Sequence, residues 1–267
     1  MGYRYLLGDS RREAARLRLQ AQLWDPVSLA LFDRLRIRPG LRVLEIGPGE
    51  GSLHRELRRR VGAPVDAVER SAVFCQNVRR LSARDGLGPG RIFESDLLDV
   101  ALPRQHYDLV FARWVFLFLP EPEEHVRKLA RALRPGGRIA LQDYHRETWT
   151  LVPRPPEWAD FLAADHAFFA TEGGDASVGG RLPEMFRRAG LRVVETVPTV
   201  KFGGPGSPVW SWLTSYFLSV TDRYARCPPL TKKKVGRLRR HWLAAQRQRT
   251  SLLIAPAVLD VVGRKPV

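Results

Sequence analysis

Apolar residues at Ala14, Leu17, Ala21 and Trp24 recur at helical spacing and predict a helix over 11–36 with one buried face. Asp25-Pro26 lies inside that stretch and predicts a break and a restart. Arg38-Pro39-Gly40 reads as a turn, and Val43–Ile46 as a short buried strand that runs into glycines. Beyond it, strands are expected at Val65–Val68, Ile92-Phe93, Tyr107–Ala112 and Arg138–Asp143. Helices are expected between them: a basic one over 52–60, one over 71–84 capped by Ser71, and one from Pro122 to about Leu133. The last of these carries Glu121, Glu123 and Glu124 at its start, where the helix dipole favours acids. Strands alternating with helices indicate a parallel sheet with right-handed crossovers.

After Asp143 the rhythm changes. Residues 144–180 are rich in Pro, Trp, Phe and Gly and show no clear strand pattern. A helix is expected at 181–189, then a strand at Arg192–Val200. An aromatic helix holding Trp210, Trp212, Tyr216 and Phe217 follows, then a basic helix over 231–249 and a closing strand at Val258–Gly263. No internal repeat is evident.

Composition narrows the class. A chain of 267 residues with 44% hydrophobic residues can bury a substantial core, which excludes wholesale disorder. Lys and Arg number 44 against 28 acids, a net charge of +16, but only six of the 44 are lysines. Arginine excess of this kind often follows genomic base composition, so charge alone does not establish a polyanionic partner. Cys75 and Cys227 are isolated thiols and suggest a reducing, cytoplasmic compartment. Arg4, Asp9, Arg11 and Arg12 leave no apolar signal core, and no run of about 18 apolar residues exists to cross a membrane.

The chemistry concentrates at Glu45-Ile46-Gly47-Pro48-Gly49-Glu50-Gly51. Glycines after a strand allow a tight turn and close approach of a ligand. A dinucleotide fingerprint would need Gly at position 52, where the chain has Ser52. The glycines instead alternate, with a carboxylate two residues before the first, which suits a site holding a cation.

Here the chain resembles the class I S-adenosylmethionine (SAM)-dependent methyltransferases, whose first motif is an acid followed by alternating glycines. The resemblance continues in order through Val68-Glu69-Arg70-Ser71, Ser95-Asp96-Leu97, Tyr107–Trp114 and Leu133-Arg134-Pro135-Gly136-Gly137. It covers about residues 40–145 strongly and the last strands (192–200 and 257–264), read as antiparallel, more loosely. It implies a Rossmann-like α/β fold with a seven-stranded, mostly parallel sheet whose last strand is antiparallel, roofed by helical lid insertions. The expected organisation is a single domain over 1–267. A helical cover (1–38) precedes a SAM-binding core (39–145), and lid or substrate insertions fall at 144–180 and 203–250. The implied cofactor is SAM. Its binding residues would be Tyr5, Arg16, Glu45, Gly47, Pro48, Gly49, Gly51, Glu69, Arg70, Ser71, Asp96, Leu97, Arg113 and Trp114. Glu69 would accept both ribose hydroxyls, Asp96 the adenine amino group, and Arg16 would meet the methionine carboxylate. An ordinary surface arginine is the other reading of Arg16.

Absences sharpen the expectation. The place of the amino-methyltransferase N/D-P-P-Y/F motif reads Ala112-Arg113-Trp114-Val115, and no Pro-Cys nucleophile occurs. No metal site is expected, because Asp143 lacks obvious acid or amide partners. The expected activity is methyl transfer to oxygen or nitrogen of a small, apolar or aromatic molecule of natural-product type, free or carrier-bound. An RNA methyltransferase, a SAM-dependent cyclase and a non-catalytic SAM-binding protein stay open. Lys232-Lys233-Lys234 with Arg237, Arg239 and Arg240 reads either as a solvated helix face or as a dock for an acidic partner such as a carrier protein, a CoA-like molecule or RNA. His54, His106, His125 and His241 are expected at the surface. The expected proton acceptor is His145, with Asp143 orienting it or anchoring substrate, and Arg113 orienting an acidic acceptor or pairing with Asp143.

Overall fold

The computed structural model describes residues 11–84, 86–88, 90–171 and 173–267; in the first helix, side chains are described at Arg16 and from Leu19 onward. Tyr5 lies outside the described residues. Helix α1 (Arg11–Arg34) runs without interruption through Pro26. The expected break does not occur, although a proline in a helix interior costs roughly 3 kcal/mol. Packing outweighs it: Trp24, Ser28, Leu31 and Phe32 are buried. Ser28 Oγ also donates to Gln142 at 2.5 Å, and Asp25 receives Arg113 at 2.8 Å.

Strand β1 (Val43–Ile46) leads to α2 (Ser52–Val61), β2 (Asp66–Glu69), α3 (Ala72–Ser82), β3 (Ile92–Glu94), β4 (Tyr107–Arg113), α4 (Pro122–Ala132) and β5 (Leu133–His145). Ser71 caps α3 by accepting from the Phe74 amide, and Pro122 opens α4 with Glu123 and Glu124 in its first turn. Next come β6 (Thr150–Val152), α5 (Trp158–Ala170), α6 (Leu182–Arg188) and β7 (Arg192–Thr199). The chain continues through β8 (Phe202–Gly203), α7 (Pro208–Tyr224), α8 (Lys232–Gln246), β9 (Leu252–Ile254) and β10 (Ala257–Arg264).

The seven main strands form one sheet in the order β3-β2-β1-β4-β5-β10-β7. Strand β10 is antiparallel to both neighbours. Strand β7 therefore runs with the rest, and of the two closing strands read together as antiparallel only β10 is reversed. Strands β6, β9 and β8 form a second, antiparallel sheet that ties the segment after β5 to the segments around α7 and β10. Strand β6 was not evident in the pattern, because three residues are too few for alternation to register.

Alternation along the strands sorts the core into two layers. Val43, Leu109, Phe111 and Ala140 pack with Leu31, Phe32, Leu53 and Leu57 from α1 and α2. Leu44, Val110, Ala112, Ile139 and Leu141 face the other way, into a larger core built with α4 through α8. Trp158, Phe161, Phe217 and Trp242 knit α5, α7 and α8 together there, with Phe217 stacked on Trp242 at 4.2 Å. Full burial of one such ring is worth roughly 1.5–3 kcal/mol.

Candidate active site

The sheet's carboxyl edge opens into a cavity of about 940 Å³. Single-ligand pockets span roughly 300–1,000 Å³, so there is room for a nucleoside cofactor and a second molecule. At one end lie Glu45, the 47–49 turn, Glu69 and Asp96; at the other lie Tyr144, Arg146, Trp149, Phe169, Trp212 and Tyr216.

The turn after β1 is shaped by left-handed glycines. Gly47 has φ +64°, and a Cβ there would meet Val115 Cγ2 at 2.5 Å. Gly49 has φ +53°, but a Cβ there would meet no protein atom within 4 Å. The space over Gly49 is thus cavity, so backbone conformation and approach of a ligand, not protein packing, make glycine necessary there.

Behind the turn, Glu45 is buried and its Oε2 stands 2.9 Å from His54 Nδ1. His54 is wholly buried, not at the surface as expected, because α2 turns it toward the end of β1. Glu69 ends β2. Its Oε1 accepts from the Ser71 amide at 2.9 Å and its Oε2 from the Gly49 amide at 3.4 Å. Burial raises the Glu69 pKa against the opposing pull of the Ser71, Gly49 and Arg70 amides. Asp96 accepts from the Leu98 amide at 3.1 Å and lies 3.7 Å from Arg70. Leu97 is buried beside it. His125 Nε2 stands 4.0 Å from Asp96, and His125 is buried, again contrary to a surface expectation; burial lowers its pKa.

Arg16 is buried, lines the cavity, and donates to Gln20 Oε1 at 2.6 Å. Arg113 also lines it, but its head is held by Asp25 at 2.8 Å and Ser28 at 2.9 Å and lies over the Trp114 ring at 4.6 Å. The expected pairing of Arg113 with Asp143 does not occur: Asp143 is enclosed on the other side of β5. Its Oδ1 accepts from the Tyr144 amide at 2.9 Å and its Oδ2 from the Leu117 amide at 3.2 Å. Trp114 takes φ +55°, rare for a bulky residue and costing roughly 1–3 kcal/mol. The conformation is held by its amide donating to the Gln142 carbonyl at 2.9 Å and by stacking on Tyr144 at 5.3 Å.

Neither His145 nor Asp143 lines the cavity. Successive strand residues point to opposite faces. Tyr144 faces the cavity, so Asp143 and His145 face away, His145 against Gly180 and within 3.9 Å of Glu147. The expected base and its orienter are therefore on the wrong side of β5.

The buried polar chain on the cavity side was missed. Arg146 Nε and Nη2 donate to Asp165 Oδ2 and Oδ1, each at 2.7 Å. Tyr224 donates to Asp165 Oδ1 at 2.6 Å, and the Tyr216 and Tyr224 hydroxyls are 2.9 Å apart. Arg146 and Asp165 are both buried. The rings of Tyr144, Trp149, Phe169 and Tyr216 surround the guanidinium at 4.8–5.4 Å. Strand alternation out from Tyr144 was the available signal for Arg146. Asp165 and Tyr224 lie 19 and 59 residues apart from their partners and left none.

A seven-stranded sheet with one reversed strand, an acid near the end of β1 followed by alternating glycines, and an acid at the end of β2 define a class I SAM-dependent methyltransferase. The chain belongs to that class: the family described as "Methyltransferase domain" matches residues 44–141. It is 28% identical to Methyltransferase GfsG of Streptomyces halstedii over 46% of this chain and 45% of that one. It is 25% identical to the nocamycin O-methyltransferase of Saccharothrix syringae over 91% of this chain and 85% of that one. Among solved structures, its fold is similar to N-methyltransferase 2 of Haemonchus contortus, in complex with phosphomonomethylethanolamine and S-adenosylhomocysteine. The TM-score is 0.56 at 15% identity, covering 91% of this chain and 53% of that one. SAM is the cofactor of the class. Among the described residues, no helix is long and apolar enough to cross a membrane.

Proposed function

We propose that this chain methylates an acidic oxygen (a phenol, enol or carboxylic acid) on a small, largely apolar, planar acceptor of natural-product type. One observation carries this reading: a single cavity joins the glycine turn and Glu69 to an aromatic chamber in which, among the described residues, none is able to take a proton at neutral pH. In that chamber burial drives the Tyr144 phenol up and the Tyr216 phenol up to about 12. An acceptor there must arrive with a readily lost proton, which favours oxygen acids. The full-length similarity to an O-methyltransferase supports the same direction.

The residues present fit SAM. Glu69 is fixed by two amides and keeps lone pairs for ribose hydroxyls. Asp96, braced by Arg70, is placed for the adenine amino group, with Leu97 packed beside it. The open face of Gly49 admits the nucleoside, Pro48 and Ser71 flank it, and Arg16 is placed for a carboxylate. Glu45, oriented by His54, is placed for an ammonium group. When bound, SAM supplies a sulfonium-activated methyl group. The chain's part is then to align the acceptor oxygen and exclude water, and alignment alone can lower a barrier by roughly 7 kcal/mol or more. Trp114, clamped between Tyr144 and Arg113, forms the floor where the two ends of the cavity meet.

The test is incubation with methyl-labelled SAM and a panel of phenols, enols, carboxylic acids and amines, reading S-adenosylhomocysteine and product by mass spectrometry. O-methyl products are expected. Methylation confined to amines, or cofactor binding with no S-adenosylhomocysteine from any acceptor, would overturn the reading.

A further inference from the structure

The chain Tyr216–Tyr224–Asp165–Arg146 has a fixed polarity, and hydrogen-bond accounting gives it. Asp165 is wholly buried and faces a guanidinium that holds both its oxygens. It is therefore a carboxylate and only accepts, so the Tyr224 proton is committed to Asp165 Oδ1. In the Tyr216–Tyr224 contact the donor must then be Tyr216. Its only proton is spent, and Tyr216 can offer a ligand lone pairs alone. Arg146 has the opposite character. Two of its nitrogens are committed to Asp165, while Nη1 has no protein partner among the described residues, and Arg146 lines the cavity. Of the four surrounding rings, Tyr216 has its proton committed and Trp149 carries a buried indole N–H without a partner, so the guanidinium is the charged donor they enclose.

We infer that Arg146 Nη1 is the acceptor-recognition donor of the chamber and binds a carboxylate or carbonyl oxygen carried by a planar, apolar acceptor. Asp165 and Tyr224 act as positioning residues that hold the guanidinium fork in place. The rings of Trp149 and Phe169 supply faces for the acceptor's plane beside it. A cationic acceptor is disfavoured, because its ammonium would meet the guanidinium instead of the carboxylate behind it. This inference rests on reading the aromatic chamber as the acceptor site, but its test needs no turnover.

The experiment is calorimetric titration of the S-adenosylhomocysteine-loaded protein with 2-naphthoate and with 2-naphthylmethylamine, which share a ring system and differ in charge. The wild type should bind the naphthoate at least about tenfold more tightly than the amine. Arg146→Lys keeps a cation for Asp165 but loses the fork; it should weaken naphthoate binding roughly 10- to 100-fold, as expected for a hydrogen bond to a charged group, with S-adenosylhomocysteine affinity unchanged. Tyr216→Phe keeps the ring and should change naphthoate affinity by less than about twofold. Should Arg146→Lys not fold, the double variant Arg146→Gln/Asp165→Asn replaces the ion pair by a neutral amide pair and should show the same loss. Equal wild-type affinity for the two probes, or a folded Arg146 variant that binds naphthoate as wild type does, would overturn the assignment. A tenfold loss in Tyr216→Phe would overturn the polarity. Absence of methyl transfer in a protein that passes these tests would count against the preceding reading and leave this one standing.

Discussion

Asp143 gives the most quantitative test of the fold around the site. Burial, aided by the Asp175 carboxylate, pushes its pKa from an ordinary 3.8 up to about 7, against the opposing pull of the Tyr144, Leu117 and Phe116 amides. At roughly 1.4 kcal/mol per pH unit, ionised Asp143 costs the native state roughly 4 kcal/mol above about pH 8. The sign follows from linkage. Between about pH 4 and pH 7 the native carboxyl holds a proton that the unfolded one has lost, so stability falls as pH rises through that window. Asp143→Asn removes the titration. The amide can accept from only one of the Tyr144 and Leu117 N–H groups, and turning its NH2 toward the other costs roughly 1–3 kcal/mol. Wild type minus variant should therefore grow by roughly 2–3 kcal/mol between pH 8 and pH 5, with wild type gaining on acidification. Urea unfolding at the two pH values measures this difference, and SAM affinity should stay put because Asp143 lines no part of the cavity. A stability difference equal at pH 5 and pH 8 would show that the carboxyl is already ionised at pH 5 and would refute the reasoning.

Three further outcomes are expected. Glu69→Gln should weaken SAM roughly 10- to 100-fold by calorimetry, and wild-type affinity should start to fall on acidification at a higher pH than an ordinary glutamate would give, since burial raises the Glu69 pKa. Gly47→Ala should destabilise the protein by more than about 1 kcal/mol in thermal unfolding, through its positive φ and the Val115 contact; adding Val115→Ala should recover part of the loss. His145→Ala should alter turnover by less than about threefold, because the imidazole faces away from the cavity; a loss of about 10²-fold would restore it as the base.

The sheet was legible because its central strands β1, β2 and β4 are buried on both faces and announce themselves as short apolar runs, and because the acid–glycine turn must sit at the end of the first. The end of the cavity at the glycine turn was legible for the same reason: Glu69 ends β2 and Asp96 stands two residues past β3. The aromatic end was not. His145 drew attention by chemistry, but its face was set by parity along β5, and placing Tyr144 inward sends 143 and 145 outward. Asp165 and Tyr224 come from α5 and α7, and only the packing of the lid brings them to Arg146. The two misplaced histidines fail in a related way: His54 and His125 are polar, yet each is drawn inward beside a carboxylate, Glu45 and Asp96, that lines the cavity. The unbroken α1 shows packing overriding a local signal.

The basic helix α8 looks different once its partners are known. Lys234 pairs with Asp160 at 2.7 Å, Arg237 with Glu157, and Arg239 with Asp222 at 2.9 Å, while Lys232, Lys233 and Arg240 remain exposed. The Arg239–Asp222 pair, whose acid is exposed, contributes roughly 0–1 kcal/mol, so its effect is less on stability than on placement. Each of the three pairs ties α8 to α5 or α7. One turn beyond the tethers Trp242 stacks on Phe217, and the residue before Phe217 is Tyr216, at the chamber wall. A shift of α8 would thus reach the chamber through one side-chain layer. Half of this cationic cluster is accounted for by pairing α8 with the acids of α5 and α7 over the aromatic chamber, and a formal charge of +16 does not require a polyanion to explain it.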